Sequence, residues 1–410
     1  MKNVLKNDEA ISKLHAPSST PYEFSLVVGG PLFQLVRRTH LSGDALELVR
    51  RRIIAITMFA WGPLLILSAL NGRAWGAAVR VPFLLDAAVQ LRMLLALPLL
   101  IGAELVLHTR IRLVIGQFMG RGLISETSRA RFEAAIRSAL QLRDSAIAEI
   151  LLIAGAYLFT FSYLWPQYSA LNVNAPTWFA DPVGSGHRLT AAGWWRFLVS
   201  LPLFAFILFR WYFRLLVWIR LLWQVARCDL RLMPTHPDRV GGLGFLSLTP
   251  FAFEPFLAAH GVVLAGLMAD QIFYHGAKLL DFKEEVGVVV GFVLLMVLAP
   301  LLLFVPHLAA AKRAGLRDYG SLAQRYMREF DDKWARGTAP ADKPLLGSPD
   351  IQSLADLGTS FDVIRTMRLV PITRDALVPL LVVTLLPVAP LLLTVISPEE
   401  IMKVLFKALF

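Results

Sequence analysis

Seven stretches of this 410-residue chain are apolar enough, and long enough, to cross a lipid bilayer. The hydrocarbon layer is about 30 Å thick, so a spanning helix needs about 20 mostly apolar residues at about 1.5 Å each. Residues 53–72, 150–180, 286–306 and 376–398 meet that without a single charge. Three more are interrupted: 83–108 contains Asp86, Arg92 and Glu104, 194–219 contains Arg196, Arg210 and Arg214, and 255–274 contains His260 and Asp270. A soluble fold of this length has no interior large enough to hide seven such segments. A charged fraction of 17% beside 56% hydrophobic residues and a mean hydropathy of +0.58 point the same way. The predicted fold class is all-α: a polytopic transmembrane bundle of about seven spans with a small helical cytoplasmic subdomain.

Lysine and arginine are spread very unevenly. With seven spans and the amino terminus inside, 30 of the 41 basic residues fall in the inner segments, 8 in the outer ones, counting Arg196 at the outer edge of its span, and 3, Arg92, Arg210 and Arg214, deeper within spans. Basic residues are retained on the cytoplasmic side, so the expected location is a cell inner membrane, multi-pass, with a cytoplasmic N-terminus. No removable signal peptide is visible in the first 30 residues. Topology and attraction to anionic lipid at the cytoplasmic face account for the net charge of +11. No basic run interleaved with stacking aromatics suggests nucleic-acid binding.

The chain divides into a polar leader at 1–22, juxtamembrane helices at 23–52, and a six-span domain at 53–306 with inner loops 108–144 and 220–250. A cytoplasmic helical hairpin at 307–374, a seventh span at 375–396 and an interfacial helix at 397–410 follow. Three cytoplasmic stretches carry apolar stripes at helical spacing: Phe132, Ile136 and Ala139; Tyr319, Leu322, Tyr326, Phe330 and Trp334; and Ile351, Leu354, Leu357, Phe361 and Ile364. Each stripe needs a partner to cover it. Packing within one subdomain is favoured, while a homo-oligomer or a cytoplasmic protein partner would serve equally well physically. No internal repeat stands out.

Ionisable groups inside spans are costly and mark functional candidates. Arg92, Glu104, Glu149, His260 and Asp270 form a candidate intramembrane polar pathway. Four of them have a plainer reading: Arg92 snorkels to the outer interface, Glu104 pairs with an inner arginine such as Arg143, His260 is a hydrogen-bonded core histidine, and Asp270 is wetted near the outer boundary. Arg210 and Arg214, flanked by Trp211, Tyr212 and Trp218, read as interface anchors.

The most distinctive local string runs from Pro234 through His236, Asp238, Arg239, Gly241, Gly242 and Gly244 to Phe245. A glycine-rich backbone presents N–H groups to an anion, with Arg239 supplying charge; the alternative is a tight turn returning the chain to the bilayer. The string lacks the ending of a P-loop, and neither HExxH nor G-x-S-x-G occurs in the chain. The lone Cys228 excludes an intrachain disulfide and a CxxC site. No catalytic, cofactor-binding or metal residue is predicted. The leading functional expectation is movement of a small solute or ion. The alternatives are a membrane scaffold or sensor binding a cytoplasmic partner, and a membrane-embedded enzyme using the 236–244 loop.

Overall fold

The computed structural model describes residues 24–27, 29, 49–76, 79–167, 176–183, 186–337 and 348–394. The leader at 1–22 and the interfacial helix expected at 397–410 lie outside them. Among the described residues seven helices are long and apolar enough to cross a membrane: α1 (Val49–Leu70), α2 (Ala87–Gly120), α4 (Ala146–Gln167), α5 (Ala191–Ala226), α6 (Gly244–His275), α7 (Leu279–Ala335) and α9 (Arg374–Thr394). Two shorter helices, α3 (Arg129–Arg143) and α8 (Pro349–Arg365), complete the described set. A small antiparallel hairpin, β1 (Ala180–Val183) with β2 (Gly186–Leu189), lies between α4 and α5. The chain is thus an all-α, multi-pass membrane protein. The end of the bundle holding the start of α1, α3 and α8 is the basic end below, and the opposite end the hairpin end.

Helix starts follow from local chemistry. Thr190 Oγ1 accepts from Gly193 N at 3.0 Å, Thr373 Oγ1 from Ala376 N at 3.1 Å, and Asp86 Oδ1 from Val89 N at 2.9 Å, each satisfying an orphan donor of a first turn. Gly276, with φ of +71°, ends α6 in the left-handed conformation that glycine adopts without cost.

The core is arranged around α6, which packs against α2, α9 and the first part of α7, while α5 packs against α4, α3 and α2. Within the most apolar window of α6, 61% is buried, against 11% for α4, so α6 is central and α4 faces lipid. Close approach at the centre relies on small residues, as in other membrane bundles. A side chain on Gly261 would collide with the Thr384 carbonyl of α9, and one on Gly266 would stand 3.0 Å from Ala88 Cα of α2.

α2 and α5 are built to one pattern. Each opens on a capping residue, Asp86 or Thr190, and each widens into a π turn, Arg92–Ala96 or Arg196–Ser200. Each π turn begins at an arginine, and a Leu-Pro-Leu triplet, 97–99 or 201–203, follows directly. The physical cause is the proline: Pro98 and Pro202 have no N–H to donate one turn back and crowd that carbonyl, so the ladder locally widens. Every one of these features recurs at a spacing of 104 residues, and each helix packs on the span before it in sequence, α1 or α4. This local repeat of two parallel units corrects the expectation of none. It escapes the eye because only the arginine, the Leu-Pro-Leu and the cap position carry it.

The three apolar stripes divide between two partners. α3, with Phe132, Ile136 and Ala139 buried, packs against α5 and sets Phe132 beside Phe118 of α2, whereas the far half of α7 pairs with α8. α7 is a single 57-residue run with a 3-10 segment, Ala299–Phe304, where Pro300 and Pro306 interrupt the ladder. Beyond that bend it leaves the apolar zone and forms the hairpin with α8.

Candidate functional site

At the basic end, buried charges from four spans meet. Glu104 of α2 lies between two arginines: Arg214 Nη2 of α5 donates to Oε1 at 2.6 Å, and Arg52 of α1 is ion-paired with Oε2. Arg210, one turn from Arg214 and on the same face, stands 4.0 Å from Glu149 in the first turn of α4. Arg214 also lies over the ring of Trp211, whose Nε1 donates to the Leu100 carbonyl at 2.9 Å. Arg214 is only 3% exposed and belongs to the interior, while the half-buried Arg210 turns towards Glu149, so neither serves simply as an interface anchor. Glu104 pairs with Arg52 and Arg214, while Arg143 makes a two-pronged pair with Asp144.

A strap of chain, residues 24–27, closes this cluster from the basic side. Phe24, Ser25, Leu26 and Val27 are all buried although the strap has no regular secondary structure. Arg143 donates to the Ser25 carbonyl, and Ser25 Oγ is 2.7 Å from His108 Nδ1. Between strap and cluster remains a void of about 10 Å³ lined by Leu26, Arg143, Arg210, Phe213, Arg214 and Val217.

At the hairpin end a second group forms. Asp86 accepts from Val89 N and, at 2.9 Å, from Trp178 Nε1, and lies 3.7 Å from Arg196. Arg196 is 1% exposed and enclosed by Trp178, Phe179 and Phe197. Asp270 of α6 accepts from Ala88 N at 3.4 Å and shares with Asp86 a cavity of about 80 Å³, also lined by Thr177, Gln271, Tyr274 and His275.

Arg92 and His260 have separate surroundings. Arg92 is buried, its guanidinium 5.9 Å from the Phe204 ring, and does not snorkel outward. His260 lies 2.6 Å from Tyr212 Oη through Nε2 and 2.8 Å from the Phe256 carbonyl through Nδ1. A carbonyl only accepts, so Nδ1 carries the proton and Nε2 accepts from the tyrosine. The five intramembrane candidates therefore fall into a basic-end pair, Glu104 and Glu149, a hairpin-end member, Asp270, and the separately lodged Arg92 and His260.

The loop from His236 to Gly244 folds around its own carboxylate. Asp238 Oδ1 accepts from Val240 N at 2.8 Å and Gly242 N at 3.1 Å, and Oδ2 from Gly244 N at 2.8 Å. Burial pushes the Asp238 carboxyl up, but the N–H groups of Val240, Gly244 and Gly242 and the neighbouring His236 outweigh it and hold the group below its ordinary value of 3.8. Arg239 has φ of +56°, Gly241 +66° and Gly242 +96°, which curls three donors towards one point. Arg239 is exposed, its carbonyl accepting from Arg368 N at 2.7 Å, and Pro234 presses against Gly315 of α7, where a Cβ would come within 2.6 Å. The loop's N–H groups thus have an internal acceptor.

On the α7/α8 hairpin, Asp350 receives Lys333 Nζ at 2.5 Å and Trp334 Nε1 at 3.0 Å, which hold its carboxyl below the usual range. Nearby is an apolar groove of about 510 Å³ lined by Ala323, Met327, Leu354, Leu357 and Phe361.

Sequence reasoning left five clustered residues out of the candidate set: Arg210 and Arg214, read as interface anchors, and Arg52, Asp86 and Arg196. Arg52 was hidden in a run of three arginines, of which Arg50 and Arg51 are exposed and only the third turns inward. Asp86 and Arg196 were visible as span interruptions but sit so near span ends that a wetted position was equally consistent.

Fold and site together define a multi-pass helical membrane protein with ionisable side chains packed inside it. Comparison with protein-family models, with curated proteins and with solved structures gives no match.

Proposed function

We propose that this protein moves a small solute or ion across the bilayer, lying in a cell inner membrane with its basic end on the cytoplasmic side against anionic lipid. The observation that supports the reading is the inward placement of ionisable groups from five spans. Arg52, Glu104, Glu149, Arg210 and Arg214 gather at one end, and Asp86, Arg196 and Asp270 at the other. Charges held in a bilayer cost several kcal/mol each (about 3 on insertion scales) and characteristically line paths for ions or substrates. The parallel repeat of α2 and α5 is of the kind found in membrane carriers. The test is flux into proteoliposomes holding the purified chain, with Asp270→Asn and Glu104→Gln as comparisons. Flux that the variants reduce per folded molecule supports the reading; no flux of any ion or solute tested, from protein that remains folded, removes it.

A second reading, a membrane scaffold or sensor, draws on the α7/α8 hairpin. Its apolar groove and the 57% exposure of Met327 suit a protein partner or a second copy of the chain. A reproducible partner captured by wild type, lost on Leu357→Glu, and accompanied by no flux would favour it. An enzyme built on the His236–Gly244 loop draws less support, because Asp238 already engages the N–H groups that such a site would use.

A further inference from the structure

Among the described residues the basic-end cluster is not electrically balanced. Its groups are Arg52, Arg210 and Arg214 against Glu104 and Glu149. Arginine remains charged under all ordinary conditions, so among the described residues three positive charges face two negative ones. The described groups packed around them do not change the count. Arg143 on α3 is matched by Asp144, and His108 on α2 is engaged with Ser25. Glu104 is shared between Arg52 and Arg214, which leaves Glu149 for Arg210 at 4.0 Å, beyond hydrogen-bonding distance. An unbalanced charge withdrawn from water is strongly unfavourable.

We propose that this cluster binds a small monovalent anion in the void between Arg143, Arg210, Arg214 and the strap at 24–27. The void is lined by three arginines together with Leu26, Phe213 and Val217. The strap already fills part of the same electrostatic role, since the Ser25 carbonyl accepts from Arg143. At about 10 Å³ the void is water-sized while the strap is closed, so a halide or nitrate is both admitted and accommodated by outward movement of the strap at the basic end. A halide or nitrate fits this chemistry; a large organic anion does not. The inference deepens the transport reading by naming the class of solute, but binding is measured without transport.

The experiment is thermal unfolding of the purified full-length protein in detergent at fixed ionic strength, with sodium gluconate exchanged stepwise for sodium bromide or sodium nitrate. The expected result is a saturating rise of the unfolding midpoint, the signature of a ligand bound to the folded state. That rise disappears in Arg210→Gln and survives in Arg210→Lys. Because Arg210→Gln alters a buried cluster, Leu26→Glu provides an independent check: it delivers a carboxylate into the void. Where a positive charge lacks its partner, Leu26→Glu keeps its midpoint in gluconate and no longer responds to bromide. A midpoint that climbs without saturation and identically in wild type and variants is a bulk salt effect and overturns the proposal. So does a Leu26→Glu protein that loses stability while retaining the wild-type response. Saturable binding without flux in proteoliposomes would leave the anion site standing and remove the transport reading; flux without anion binding would do the reverse.

Discussion

Glu104 and Asp238 show how differently two carboxylates are used in one chain. Glu104 is the shared counter-ion of Arg52 and Arg214, and removing one member of a buried pair leaves the others uncompensated. Glu104→Gln is expected to lower stability by about 3 to 5 kcal/mol, measured by unfolding in mixed micelles. Adding Arg214→Leu to that variant recovers part of the loss, because one of the stranded charges goes with it. Asp238 works on the backbone. Asp238→Ala is expected to cost about 2 kcal/mol, the scale of hydrogen bonds to a charged group, and to raise protease cutting near residue 240. Its folded value lies below the ordinary 3.8, so its contribution is present above pH 3.8 and is lost as pH falls through the folded value. The stability gap between wild type and Asp238→Asn therefore narrows in acid below that point; a gap that stays constant down to complete protonation would contradict the assignment. Residue chemistry was only partly legible in the sequence. That Glu104 needed a partner followed from its place in a span, but which partner depended on the rotation of α1 and α5, which a single sequence does not encode.

At the scale of elements, apolar length and helical period carried most of the information. All seven spans and the amphipathic α3 and α8 were readable because each is set by a local pattern. What covers each stripe was not, since Phe132 against Phe118 of α2 and Phe361 near Gly320 of α7 are long-range pairings. The junction of α7 with the 234–244 loop is especially tight. Gly315→Ala places a methyl group within 2.6 Å of Pro234 Cβ and 3.1 Å of Ile364, and overpacking of this kind costs about 1 to 3 kcal/mol. The expected outcome is a lowered unfolding midpoint with faster proteolysis of the α7/α8 hairpin, and unchanged membrane insertion. A variant as stable as wild type would mean that the loop yields there without loss.

For the whole molecule, the uneven distribution of basic residues translates into a test of sidedness. In a Cys228→Ser background, Val183→Cys lies on the exposed β1 strand and Ser321→Cys on the exposed face of α7. A maleimide that cannot cross membranes is expected to label only Val183→Cys in intact cells and Ser321→Cys only after lysis; the reverse order would invert the orientation. The bend at Pro300 and Pro306 has a mechanical meaning as well. α7 is held against the 234–244 loop as far as Gly315, and from there to Ala335 it runs about 30 Å at 1.5 Å per residue. A change of about 10° in its direction, within the scatter of helix packing angles, carries the tip about 5 Å. The hairpin is in that sense a pointer fixed to the sixth span, converting adjustments too small to open a path through the bundle into displacements that another molecule at the basic end would meet directly.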